Sequence, residues 1–356
     1  MTFKRIDQVL AGFAEGDAIS NETRILQDLF RSWGLESDIF VDWAHVSPDA
    51  RERSRPLAEY HGRAGDVVIH HYSIASPAVG CFMASPARRV LIYHNITPAT
   101  FYRGFDDRVA DQLDQARGEL QALLPQVDAC WADSEFNAAE LRAMGAQNAL
   151  VFPLLFSPEQ FDLAPDPNLF PKFAAPMQNL LYVGRIAPNK QVEDLITAFA
   201  WYHRVINRQS RLIIVGSERS CPRYYLMLRM LANELELPNV CFERFASPRG
   251  LSAYYELADL FITASRHEGY CLPLVEAMHK RLPVIARNEG GMPEALGGGG
   301  VLYEDLAPGE LAALIERVLT DAALKNQILA AQDQRMADLR NRDAAAELRT
   351  LLAHIG

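Results

Sequence analysis

The second half of the chain carries short apolar runs at Leu180–Val183, Leu212–Val215, Val240–Phe242, Leu260–Ala264, Pro283–Ala286 and Val301–Tyr303. Each is strand-sized and bounded by polar or turn-forming residues. Between them lie stretches that read as helices, at Gln191–Ile206, around Tyr224–Leu235, around Leu251–Leu257 and, briefly, at Pro293–Leu296. Strand and helix alternating at this spacing dictate a parallel sheet with right-handed crossovers. The four glycines Gly297–Gly300 read as a flexible connection, since no helix follows them directly.

The first half alternates more weakly. Ile6–Phe13 suits a first strand, followed by a helix capped by Ser20 or Asn21 and striped by Ile25, Leu26, Leu29, Phe30 and Trp33, with Gly34 ending it. Further strands are predicted at Asp38–Val41, Asp66–His70, Arg89–Tyr93, Ala129–Ala132 and Ala149–Phe152, and helices at Asp106–Leu124 and from a Ser134 cap to Met144. The Arg-rich stretch Ser47–Arg63 fits no pattern. Pro153, Pro158, Pro165, Pro167, Pro171 and Pro176 punctuate a linker. A chain of 356 residues exceeds most single cores. The expectation is therefore two Rossmann-like α/β domains facing across a cleft. An N-terminal acceptor domain spans 1–165, a C-terminal donor domain spans 177–340, and a helix at 341–356 is able to cross back to the first domain.

A formal net charge of −10 argues against nucleic acid as partner. The cysteines Cys81, Cys130, Cys221, Cys241 and Cys271 are scattered without a C-x-x-C pair, which suits a reducing compartment and supplies no zinc site. Lys4 and Arg5 are not followed by a signal-length apolar segment, and no run approaches the ~20 residues of a membrane span. A cytoplasmic protein, at most peripheral to the inner membrane, is expected.

Two loops carry the chemistry. The run Leu260–Ala264 leads into Arg266-His267-Glu268-Gly269-Tyr270-Cys271-Leu272-Pro273-Leu274-Val275-Glu276. Glu268 then lies in a strand-to-helix loop and Glu276 in the first helical turn. Between them the N–H groups of Tyr270, Cys271 and Leu272 converge on a helix start, which favours anions and hydroxyl oxygens. The plainer reading is that acids near a helix start only offset its dipole. The other loop is Gly184-Arg185-Ile186-Ala187-Pro188-Asn189-Lys190, which sets two cations at a strand's carboxyl end. That suits a diphosphate; two ordinary surface cations are the plainer reading. The glycine spacing of a Walker loop is missing. His70 and His71, adjacent on a strand, point to opposite faces and cannot easily share an ion. No metal is expected.

Gly184-Arg185-x4-Lys190, Glu268-Gly269-x-x-Leu272-Pro273-x-x-Glu276, Pro283–Ala286 and Gly290-Gly291-x-Pro293-Glu294, in that order, resemble the glycosyltransferase 4 family of retaining GT-B enzymes. Tyr93–Thr97 and Ala132–Phe136 agree more loosely. The resemblance implies that Gly184, Arg185 and Lys190 hold the donor diphosphate, that Glu268 binds sugar hydroxyls near the reacting carbon, and that Glu276 binds the nucleotide ribose. It further implies contacts from Gly269, Tyr270, Cys271 and Leu272 to sugar or phosphate, with His94 facing the sugar. Gly16 and Asp17 fall in the loop that approaches the phosphates or acceptor, where the family more often has Gly-Gly. Tyr270-Cys271 stands where Phe-Gly is more usual.

The activity so implied is transfer of a hexose, with retention, from a nucleotide diphosphate sugar to a hydroxyl of a glycan or lipid-linked acceptor. Such chemistry serves surface polysaccharide or glycolipid synthesis. His94, Glu268, Lys190 and Arg185 are the catalytic candidates and no cofactor is needed beyond the donor. The form Ala187–Lys190 leans to GDP-mannose over a UDP-hexose. The alternatives are a non-catalytic nucleotide-sugar-binding protein and a GT-B sugar-nucleotide epimerase. A nicotinamide oxidoreductase lacks its G-x-G-x-x-G.

Overall fold

A computed structural model describes residues 3–157, 161–244 and 246–355. Pro158 lies outside the described residues. The chain divides into two compact units: Met1–Thr100, Arg108–Phe156 and Asp343–Gly356 form the first, and Phe101–Asp107 with Ser157–Arg342 form the second.

The second unit is built on six parallel strands: β8 (Gln178–Val183), β9 (Ser210–Val215), β10 (Val240–Glu243), β11 (Leu260–Thr263), β12 (Val284–Arg287) and β13 (Val301–Tyr303). Their order is β10-β9-β8-β11-β12-β13. Strands added first to one side of β8 and then to the other make a doubly wound sheet. Its crossovers leave in opposite directions at β8 and β11, which opens a crevice at their carboxyl ends. The helices are α5 (Val192–Trp201), α6 (Pro222–Glu234), α7 (Pro248–Leu257), α8 (Leu272–His279), α9 (Met292–Leu296), α10 (Pro308–Thr320) and α11 (Ala322–Asn341).

The helix expected over Gln191–Ile206 breaks in two, because Tyr202–Ile206 winds as a π-helical turn. Tyr202 is buried and its hydroxyl donates to Gln178 Oε1 and Glu316 Oε2, which holds that turn against the sheet edge. The glycines at 297–300 are a close-packed corner, not a loose connection. A Cβ on Gly299 would stand 2.5 Å from Met278 Sδ, and one on Gly297, at φ +52°, 2.6 Å from the Arg335 side chain.

The first unit carries seven parallel strands: β1 (Ile6–Leu10), β2 (Ile39–Val41), β3 (Arg55–Pro56), β4 (Val67–Tyr72), β5 (Arg88–Tyr93), β6 (Ala129–Ala132) and β7 (Ala149–Val151). Their order, β3-β2-β1-β4-β5-β6-β7, places a second switch point between β1 and β4. The helices α1 (Ala18–Ser32), α2 (Ala78–Ala84), α3 (Asp107–Leu123) and α4 (Glu135–Ala143) complete it. The patternless stretch after Ser47 is short 3₁₀ turns around the two-residue edge strand β3. Helix α2 has no counterpart in the sequence reading, since its seven residues are apolar almost throughout and show no stripe. The cap of α1 is Asp17, not Ser20 or Asn21. Its carboxylate accepts from the Ser20 N–H at 2.9 Å and the Ser20 hydroxyl at 2.8 Å.

The core of this unit runs from Ile6 and Phe30 through Val90 and Trp131 to Leu348 and Leu352. Those last two belong to α12 (Ala344–Ala353), so the chain's final helix closes the first unit's core. Arg349 reinforces the seam by stacking over the Trp33 ring at 4.7 Å.

Candidate active site

At the switch point of the second unit the loops after β8 and β11 are laced together. The Arg266 N–H donates to Asn189 O at 2.9 Å, and Asn189 Nδ2 donates to His267 O at 3.0 Å. Lys190 is thereby delivered to Glu268, with Nζ 2.5 Å from Oε1. Both side chains keep only a little solvent contact, 11% and 12%. Burial pushes the Glu268 carboxyl up, yet the adjacent Lys190 charge and hydrogen bond outweigh it and leave its pKa below the ordinary value. Glu268 is a carboxylate at neutral pH. Arg185 is exposed and, among the described residues, pairs with no carboxylate. Lys190 spends one of three ammonium donors on Glu268. The loop therefore offers an anion one uncommitted guanidinium and two ammonium protons.

The Glu268 backbone is pinned from below. Its carbonyl accepts from the Gly291 N–H at 2.9 Å. Gly290, at φ +60°, passes so close that a Cβ there would stand 2.3 Å from that same oxygen. The chain then reaches Cys271, which takes the left-handed conformation at φ 73° and caps α8. A glycine is the low-cost residue for that geometry. This is the physical reason glycine is usual there and the measure of what Cys271 tolerates. The N–H groups of Cys271 and Leu272 donate to no backbone carbonyl among the described residues.

Helix α8 starts at Leu272, with Pro273 second, so Glu276 falls in its second turn and not its first. That removes dipole compensation as its reason for being acidic, since the effect fades within a turn. Glu276 is 8% exposed and accepts from the Tyr255 hydroxyl at 2.7 Å. Burial raises its pKa to about 7, against the lowering effect of that hydrogen bond. A buried acid balanced between charged and neutral at physiological pH is poorly explained by structure alone.

The first unit gathers its own cluster at the carboxyl ends of β1, β4, β5 and β6. His94 Nδ1 lies 3.0 Å from Asp133 Oδ1, and His94 Nε2 lies 2.8 Å from His71 Nδ1. His71 Nε2 in turn faces Gln8 Oε1 at 2.9 Å. Glu22 Oε2 stands 3.7 Å from His94 Nε2 and 3.9 Å from His71 Nδ1. Nitrogens that share a tetrahedral zinc at ~2.0–2.1 Å stand well apart. Those of His71 and His94, at 2.8 Å with nearly parallel rings, are hydrogen-bonded to each other instead. His70 points to the other face and donates from Nδ1 to Val9 O.

Arg185, Lys190, Glu268 and Glu276 thus sit in one unit on the loops and helix around one switch point, along with Gly184, Gly269, Tyr270, Cys271 and Leu272. His94 is in the other unit with its ring buried. Gly16 and Asp17 lie in the loop after β1, exposed, with the Asp17 carboxylate committed to capping α1. Asn189, Tyr255, Gly290, Gln8, His71 and Asp133 escaped the sequence reading as supports. Asn189 and Gly290 show in the sequence as members of the quoted motifs, and His71 and Asp133 as polar residues within or just past strand ends.

Among the described residues no helix is long and apolar enough to cross a membrane. Residues 171–335 match the family model described as glycosyl transferases group 1. The serotype-specific mannosyltransferase WbdA of Escherichia coli is 27% identical over 165 residues, 46% of this chain and 20% of that protein. The lipopolysaccharide 1,2-N-acetylglucosaminetransferase of Salmonella typhimurium is 30% identical over 181 residues, 48% of this chain and 47% of that protein. The chain thus spans from a fifth to about half of the length of these relatives. Among solved structures, sucrose-phosphate synthase from Thermosynechococcus elongatus aligns with a TM-score of 0.74 over 99% of both chains at 19% identity. WaaG, a glycosyltransferase involved in lipopolysaccharide biosynthesis, aligns at 0.70 over 96% of each at 14% identity. These likenesses show the fold, GT-B, with two parallel-sheet α/β domains. The family match falls on the laced loops around Lys190 and Glu268, so it is the part of the second unit that carries this pair which is similar to the glycosyl transferases group 1 family.

Proposed function

We propose that the protein transfers a hexose from a nucleotide diphosphate sugar to a hydroxyl of a glycan or lipid-linked acceptor, with retention at the anomeric carbon. The observation that carries this is the Lys190–Glu268 pair at 2.5 Å at the switch point, with Arg185, which pairs with no carboxylate among the described residues, on the same loop. In the proposal the diphosphate takes the free donors of Lys190 and the guanidinium of Arg185, which absorb the charge that appears as the glycosidic bond breaks. Glu268, held ionised, orients the sugar hydroxyls. Glu276 accepts from the ribose diol beside Tyr255. The N–H groups at the start of α8 meet the sugar or phosphate. Gly184 and Gly269 let the backbone come close.

On the first unit, His94 is assigned to the sugar, and the loop of Gly16 and Asp17 to the phosphates or acceptor. The acceptor proton goes to the leaving phosphate, so no separate base is required. The sugar proposed is mannose carried by GDP, a choice that the mannosyltransferase among the relatives favours, and UDP-hexoses are its rivals. The product would enter surface polysaccharide or glycolipid. No cofactor beyond the donor is part of the proposal, and membrane contact is peripheral.

The test is a thermal-shift screen against GDP, UDP, ADP and dTDP, followed by turnover of the matching sugar nucleotide and assignment of the product anomer. A ligand that binds only the native state must raise the melting temperature. No shift with any of the four, or an inverted anomer, would refute the assignment.

A further inference from the structure

We propose that His71, at the end of β4, is a positioning residue that keeps His94 as an imidazolium, so that His94 meets the substrate as a fixed cation and not as a base. The functional half of this rests on the assignment of His94 to the sugar; the protonation half stands on geometry alone.

The chain of donors starts at Gln8. Its Nε2 donates to Thr23 O at 3.0 Å, which turns its Oε1 towards His71 Nε2 at 2.9 Å. An amide oxygen only accepts, so His71 Nε2 carries a hydrogen. A neutral imidazole has one N–H, which leaves His71 Nδ1 a lone pair facing His94 Nε2 at 2.8 Å. His94 Nε2 must then donate. On the far side of the ring His94 Nδ1 is hydrogen-bonded to Asp133 Oδ2 at 3.1 Å, and a carboxylate only accepts. Both nitrogens of His94 therefore carry hydrogen.

The proton in the N···N bond could in principle sit on His71 instead. The surrounding charges decide against it. His94 has the Asp133 carboxylate in direct contact, whereas the neighbour of His71 on its far side is the neutral amide of Gln8. Glu22 from α1 lies almost equally far from the two rings and does not discriminate between them. Asp17 at the start of α1 adds a further negative charge on the His94 side. His70 donates from Nδ1 to Val9 O and burial lowers its pKa to about 4, so it brings no charge. Against the penalty of burial, Asp133 and Glu22 raise the His94 pKa, while burial and the His94 charge drive that of His71 down. Those directions agree with the hydrogen-bond order.

The experiment uses the full chain with ¹⁵N-labelled histidine and reads the ring nitrogens by NMR from pH 5.5 to 8.5 without donor. The variants are His71→Asn, whose Oδ1 replaces the Nδ1 acceptor, and His71→Leu, which removes it. Wild type and H71N should show both His94 nitrogens protonated across the range, while H71L lets His94 titrate within it. With donor, H71L should lose about tenfold in kcat above the new pKa and regain it below, with KM little changed and H71N close to wild type. A neutral His94 in the wild-type spectrum, identical titration in H71L and H71N, or ring shifts produced by stoichiometric zinc would each overturn the protonation state. That wild-type measurement needs no variant to fold. Ring nitrogens as expected, in a protein that turns over no sugar nucleotide, would overturn the sugar assignment alone.

Discussion

Glu276 is where stability and function pull in opposite directions, and the pull has a size. The carboxyl is buried with the Tyr255 hydroxyl as its polar partner at 2.7 Å, and its pKa stands at about 7 against an ordinary 4.5. Because the folded value lies above the unfolded one, the stability this group contributes is present in full below pH 4.5. It is lost as the pH rises through 7. A displacement of that size corresponds to about 3 kcal/mol between pH 4 and pH 8. Replacing Glu276 by Gln removes the titration while keeping an oxygen for Tyr255. The variant's stability relative to wild type should therefore improve by about 3 kcal/mol from pH 4 to pH 8, whatever the offset at the acid end.

The same substitution should weaken nucleotide binding. A ribose diol donates two hydroxyls to a carboxylate, and hydrogen bonds to a charged group contribute ~1.5–3 kcal/mol, so Kd at pH 8 should rise by roughly ten- to a hundredfold. In wild type, Kd should also rise about tenfold per pH unit below 7, as Glu276 must give up its proton to bind. Urea denaturation followed by far-UV circular dichroism gives the first quantity, and calorimetric titration with the nucleotide found by thermal shift gives the second. An unchanged pH slope of stability in the variant would show that Glu276 is not the buried acid described. An unchanged Kd would show that it does not meet the ribose.

Lys190→Ala and Glu268→Ala should each cut turnover at least ~100-fold, checked by donor consumption. Each also strands its partner in a site with little solvent, at a cost of ~3–5 kcal/mol that the double variant should partly recover without regaining activity. Gly290→Ala places a Cβ 2.3 Å from Glu268 O at φ +60°, so the Glu268 loop must shift. Nucleotide affinity should fall together with the melting temperature, and a neutral outcome in both would refute the pinning. Leu348→Ala opens a cavity in the core of the first unit and should cost ~2–5 kcal/mol in denaturant. It should leave nucleotide affinity at the second unit unchanged.

The second unit was nearly all legible in the sequence, and the first only in outline. Parallel strands buried on both faces show as short continuous apolar runs, and Leu212–Val215 and Leu260–Thr263 announce themselves in this way. Helix α2 did not, because seven apolar residues carry no periodic contrast. The sequence points to Ser20 or Asn21 as the cap of α1, three or four residues past the actual Asp17, since all three are good caps and only backbone geometry chooses among them. Gly297–Gly300 look slack in the sequence and are tight in the fold, because a glycine needed for close approach looks like one needed for freedom. At the site, Lys190 and Glu268 were visible as residue types in loops. Their 2.5 Å contact was not, since it depends on Asn189 lacing loops 78 positions apart.

The two switch points are treated differently by the sequence. At β8 and β11 the charged groups face outward or pair across loops: Arg185 is exposed and Lys190 keeps spare protons. At β1, β4 and β5 the polar groups turn inward: Gln8, His71, His94 and Asp133 are buried and joined by hydrogen bonds, with Glu22 buried beside them. Burying so many polar groups is costly unless each is satisfied. A crevice that only needed a floor would be made of apolar side chains at lower cost. The outward-facing set can exchange its partners for a charged ligand, as binding a diphosphate demands. The inward-facing set cannot do so without dismantling its own hydrogen bonds, so the contribution proposed for it is a fixed shape and a fixed charge. Replacing Asp133 by Asn tests that distinction. The neutral amide offers an acceptor in the same place, but the charge that holds the second proton on His94 is gone. If the second unit holds the nucleotide as proposed, Kd should stay within about twofold. Turnover should fall and acquire a pH dependence that wild type lacks, because burial without the carboxylate lowers the His94 pKa. A large loss of nucleotide affinity in Asp133→Asn would show that the inward cluster also holds the donor's phosphates, and the division of labour between the two switch points would fail.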